Sequence, residues 1–299
     1  MSFVSTSLSL IKHPHILVRW AAGGWTFFVI ENAILSENRT WLIDSLGDDN
    51  YHLCYGVCST IATASIGLAY YKISRKTPPI PPQLVRRIPK NVMITASNIG
   101  SWISMSVGLI MASQVAPTFQ IPVSYSSPES GNTTTTDVVT GPTNENDINS
   151  NNQSSGGGMK FQVRCPFDFA DKRLEKSDES DFSIRGLERI SRHPGLWSFG
   201  LIGLSQSFLA PTIPLQIWWL GPAFVAWMGG NHTDSRFRRG IGGTLPPQYE
   251  CQTSNIPFLA MITGKQHGGF EALGNEIKPL NAVLAVAASS MWILRRIKR

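Results

Sequence analysis

The chain has 299 residues, of which 42% are hydrophobic and only 15% charged; it holds nine Trp and carries a formal net charge of +6. Four cysteines without a CxxC pair argue against a disulfide framework or a thiolate zinc site. Length alone allows two soluble domains, but apolar runs near twenty residues long point instead to a membrane protein.

The first apolar run covers 16–35 and carries Arg19 and Glu31. Ahead of it, Ser2, Ser5, Ser7, Ser9 and Lys12, with no acid before Glu31, loosely resemble an organellar import sequence. A plastid or other organelle membrane, or a bacterial-type inner membrane, is therefore expected. The second run, 52–71, opens with His52 and contains Cys54 and Cys58, for which packing is the simplest role. The connection 72–90 has six basic residues, five prolines and no acid, which marks it as facing the inner side. The third run, 92–116, is rich in the Ser, Gly and Ala that let helices approach closely in lipid.

Residues 124–158 are mostly Ser, Asn, Thr and Gly, without Lys or Arg, and are expected to be a disordered insert, because such a composition buries too little apolar surface to offset chain entropy. A charged stretch, 160–192, follows. Its end predicts an interfacial helix over 183–191, with Ile184, Leu187 and Ile190 at helical spacing. Two further runs, 194–210 and 212–229, are joined so briefly that they must lie antiparallel, with Arg192 and Arg236-Phe237-Arg238-Arg239 emerging on one side. The last run, 280–294, is short and ends in a basic cluster. The expectation is an all-α integral membrane bundle of five or six transmembrane helices, with halves 1–123 and 159–299 around the insert. With six spans, the C-terminal cluster shares a side with 72–90, and the arginines near His193 lie opposite, against the positive-inside rule.

His193 is the leading candidate for chemistry. A histidine between arginines at a membrane surface is costly unless it binds an anion, a metal or a cofactor. The plainer alternative is that Arg192-His193-Pro194 only opens a helix, with Pro194 at the first position. Glu31 has three readings: a metal ligand, an intramembrane acid paired with Arg19, Arg192 or His193, or a snorkelling group at the far interface. Arg19 is twelve residues away, about three turns, too far for a pair within one helix. Asn231-His232-Thr233 reads as a glycosylation-like sequon if it lies in a lumenal loop. Gly200 and Gly203, with Ser205 and Ser207, are expected at close helix contacts.

Four blocks in order carry a resemblance: Arg189-Ile190-Ser191-Arg192-His193-Pro194, Phe224-Val225-Ala226-Trp227-Met228-Gly229-Gly230, Ser235-Arg236-Phe237-Arg238-Arg239 and 253–266, which contains Ser254-Asn255-Ile256-Pro257. Over about 186–266 the chain resembles the NnrU family of multi-pass membrane proteins, which includes carotenoid isomerases. The resemblance implies haem b, with His193 as one iron ligand, and cis-trans isomerisation of a membrane-dissolved polyene. The family's first-span histidine falls at Glu31, and its second hairpin histidine at Ser205-Gln206. Glu31 or His52 would then stand opposite His193 on the iron, with Glu31 and His193 as the catalytic pair and Gln206 beside the cofactor. Arg192, Arg236, Arg238 and Arg239 would pair with the propionates. A second class is a non-catalytic membrane scaffold or assembly factor that has lost the cofactor. A third, a membrane methyltransferase, would need an acidic pair after the hairpin, where 229–243 offers only Asp234. Expected partners are membrane lipid and an apolar polyene, and no nucleic acid.

Overall fold

A computed structural model describes residues 15–76, 90–115, 123–126, 160–163, 183–241 and 243–297. Six long helices stand where the six apolar runs predict them. They are α1 (Ile16–Glu37), α3 (Asp48–Lys76), α4 (Lys90–Val115), α5 (Pro194–Leu209), α6 (Ile213–Arg238) and α10 (Pro279–Ile297). Four shorter helices are added: α2 (Arg39–Leu46), α7 (Pro247–Gln252), α8 (Leu259–Ile262) and α9 (Gly269–Glu276). Strands β1 (Val123–Ser126) and β2 (Lys160–Val163) pair antiparallel, Val123 opposite Val163 and Ser126 opposite Lys160. Most of the expected insert, 127–158, lies outside the described residues.

The long helices form a row in which α3 packs on α1, α1 on α6, α6 on α5, α5 on α4, and α4 on α10. Small residues set these contacts. A Cβ on Gly203 would fall 2.6 Å from Pro222 Cγ, one on Gly108 would fall 3.0 Å from Ile202 Cγ1, and one on Gly221 would fall 2.0 Å from the Trp25 ring. Serines add hydrogen bonds across the row: Ser101 to Ser205 (2.9 Å) and Ser106 to Ser289 (2.6 Å), with Trp102 Nε1 donating to Ser290 (3.0 Å). Close packing together with interhelical bonds of this kind is what holds helices to one another where no hydrophobic drive acts between them. Trp25, Trp197, Val225 and Met261 centre the main apolar cluster.

Among the described residues, two helices are long and apolar enough to cross a membrane, Asp48–Arg75 and Ile94–Val115. A third qualifies if α9 and α10, bent by 93° to each other, count as one span. Helix α5 has 16 residues, about 24 Å of rise, short of a hydrocarbon core of about 30 Å.

Three local expectations are corrected. The helix expected over 183–191 is a single 3-10 turn, Gly186–Arg189, because Gly186 sits at φ +54°, where a right-handed helix cannot start. Helix α6 continues nine residues beyond its apolar run, to Arg238, because Asn231 and Asp234 find partners on neighbouring segments. The Asn231-His232-Thr233 sequon therefore lies within a helix and not in a loop.

Candidate functional site

The α5–α6 hairpin brings its two polar ends together, as the short connection requires. Pro194 opens α5 at its first position, and His193 caps it without a side-chain bond to the helix. His193 Nε2 instead bonds Asp234 Oδ1 at 2.8 Å, while Arg192 Nη2 donates to Asp234 Oδ2 at 2.7 Å. All three side chains are almost fully buried, at 4%, 8% and 3% exposure for His193, Arg192 and Asp234. Asp234 lies beyond the apolar run of α6. Burial alone would raise its carboxyl, but the bond to His193 and the charges of His193 and Arg192 hold it below the ordinary value.

A strap made of α7 and the loop to α8 closes over this cluster. Arg192 Nη1 donates to the carbonyls of Glu250 and Thr253, both at 3.2 Å, and its backbone N–H donates to Ser254 O at 3.0 Å. Ser191 Oγ donates to Asn255 O (2.6 Å) and accepts from the His193 N–H (3.1 Å). Asn255 is the hub. Its Oδ1 accepts from Trp197 Nε1 on α5 (2.9 Å), and its Nδ2 donates to Trp227 O and Asn231 Oδ1 on α6, both at 3.0 Å. Gly230 makes room for it, since a Cβ there would meet Asn255 Oδ1 at 2.3 Å. Phe258, at φ +62°, turns the strap and donates its N–H to Ile190 O at 2.8 Å. A left-handed bulky residue is strained and persists only where its surroundings fix it.

The other arginines of the mouth are also engaged within the chain. Arg189 pairs with Glu276 at 2.7 Å, Arg238 with Glu250, and Arg239 with Glu37 at the end of α1. Arg236 Nη1 donates to Ser36 Oγ at 3.2 Å, and His232 Nε2 contacts the same hydroxyl. The hydrogen bonds of Arg189 and Arg239 hold the carboxyls of Glu276 and Glu37 below the usual range.

Glu31 lies at a different interface. It is buried between α1 and α3, where its Oε1 accepts from Ser59 (3.3 Å) and its Oε2 from Asn32 (2.8 Å), so it does not snorkel. Asn32 Oδ1 in turn accepts from Tyr55 OH at 2.8 Å. His52 is also on α3, 3.5 Å from Asp48. Gln206 stands near the far end of α5, about 18 Å of helix rise from its start.

These positions test the haem arrangement that the family resemblance implies. One iron between His193 and Glu31 or His52 requires both ligands to face one space. Here His193 faces Asp234 across α5 and α6, whereas Glu31 and His52 belong to the α1–α3 side of the row. The four arginines expected at propionates already bond protein groups, and Gln206 is not beside His193. The residues do not fit that arrangement. Asp234 has no role in the sequence-based expectation, and nothing in the 253–266 block marks it as a strap. The signal for Asp234 was a lone acid among arginines in an otherwise basic stretch.

The search for known relatives is negative throughout: no protein-family model, no curated protein and no solved structure matches this chain.

Proposed function

We propose that this chain is an NnrU-like integral membrane protein with five or six crossings that works as a non-catalytic scaffold. In this reading the Arg192–His193–Asp234 cluster fastens the mouth of the α5–α6 hairpin. The single observation carrying it is Asp234, which accepts from both residues of the Arg-His pair and takes up the groups that a cofactor would need. A buried carboxylate that accepts from both Arg192 and His193 is a good fastener because removing it leaves the buried guanidinium without its counter-charge. The number of crossings is supported by the row itself. Helices α1, α6 and α5 stand side by side between α3 and α4, the two that, among the described residues, meet the length and apolarity requirement alone.

The test is the visible spectrum of protein purified in mild detergent, beside His193→Gln. A scaffold shows no Soret band in either protein. A Soret band in the wild type that vanishes in His193→Gln overturns the proposal and restores haem-dependent isomerisation of a polyene.

A further inference from the structure

The end of the bundle away from His193 carries cations of another kind. Arg19 stands one turn into α1, exposed, and Lys72 and Arg75 close α3. Lys72 Nζ lies 3.4 Å from the centre of the Trp20 ring, which places the α1 start beside the α3 end, and Arg75 lies over Tyr71 at 4.4 Å. None of the three has a carboxylate partner among the described residues, in contrast to Arg189, Arg192, Arg238 and Arg239 at the mouth. A groove of about 350 Å³ begins here. It is lined by Arg19, Trp20, Gly23, Phe27 and Ser65, and it runs between α1 and α3.

The groove has the polarity of an amphiphile. Arg19, Gly23 and Phe27 follow one face of α1 at four-residue steps, so the cation is at one end and an apolar floor extends about 12 Å inward. The floor is open at Gly23, where an added Cβ would meet nothing within 4 Å. Trp20 at the mouth has the amphipathic ring that favours the headgroup level. A neutral polyene would use the floor but offer no counter-charge to Arg19 and Lys72.

We propose that this groove holds one anionic phospholipid, its acyl chain on the Gly23–Phe27 floor and its headgroup on Arg19 and Lys72. The inference rests on the membrane-embedded reading above. Native mass spectrometry of the full chain in detergent, titrated with phosphatidylglycerol or with phosphatidylcholine of equal chain length, is the test. One phosphatidylglycerol is retained in preference to phosphatidylcholine. Arg19→Gln with Lys72→Gln cuts that retention by about fivefold per charge, and Gly23→Leu, which fills the floor, cuts retention of both lipids. Equal retention of the two lipids by the wild type, or retention unchanged in the charge variant, overturns the proposal. Binding of a neutral carotene without preference for the anionic lipid overturns it as well. Thermal melting confirms that each variant folds; if Gly23→Leu does not, the charge variant decides. Alkaline carbonate extraction separates the two failures. Release from membranes sinks the membrane reading, whereas retention without lipid preference sinks the groove alone.

Discussion

The two ends of this bundle carry cations and use them in opposite ways. At the hairpin mouth Arg189, Arg192, Arg238 and Arg239 each meet a carboxylate, and the buried one is shared with His193. At the other end Lys72 and Arg75 meet aromatic rings, and Arg19 borders an open groove. Cations that are cancelled within the chain fasten segments to one another. Cations without a carboxylate partner are available to anionic lipid and to the forces that orient a chain in a bilayer. Among the described residues, the named cations of the first end are cancelled by carboxylates and those of the second are not.

The largest expected effect lies at the paired end. Asp234→Ala leaves Arg192 and His193 buried without their carboxylate and costs about 3–5 kcal/mol, read as a fall in melting temperature in detergent. The same residue sets an acid limit. A carboxyl held below its ordinary value in the folded state contributes stability above its unfolded pKa, and that contribution is lost as pH falls through the lower folded value. Acid melting should therefore appear below the usual carboxylate range and weaken in Asp234→Asn. Next comes Asn255→Ala, which strands the buried Trp197 Nε1 and two groups on α6, for about 1–3 kcal/mol. Such a loss, with an unchanged helix content, would show that the strap and the hairpin are one unit.

Smaller effects sharpen the contrast. Glu31→Gln keeps groups able to bond Ser59 and Asn32, so its cost should stay below about 1 kcal/mol. A cost rivalling that of Asp234→Ala would make the α1–α3 interface a second charged fastener. Arg239→Gln breaks a pair open to solvent and should leave the melting temperature unmoved, as exposed pairs usually do.

Much of the architecture was legible in the sequence because length and apolarity fix long helices almost alone. The six runs map onto α1, α3, α4, α5, α6 and α10, and the short link at 210–212 fixed the antiparallel hairpin. The residue His193 was also legible, since a histidine next to an arginine at the start of an apolar run is costly without a partner. Its partner was not. Asp234 is 41 positions away, and only the extension of α6 past Gly230 turns it toward His193. The strap was invisible for a related reason. It is held by Asn255 and by backbone groups of the 250–258 segment, contacts that leave no periodic trace. The resemblance sets Glu31 opposite His193 on one iron, but sequence order says nothing about which side of a helix row a residue occupies, and the two stand at different interfaces.

A double-mutant cycle between His193→Gln and Asp234→Asn, followed by thermal unfolding of the full chain in detergent, tests the fastening directly. The account predicts that the double variant loses clearly less than the sum of the two single losses, with a coupling of about 1–3 kcal/mol. Strictly additive losses would mean that the two side chains do not act on each other, and would contradict it.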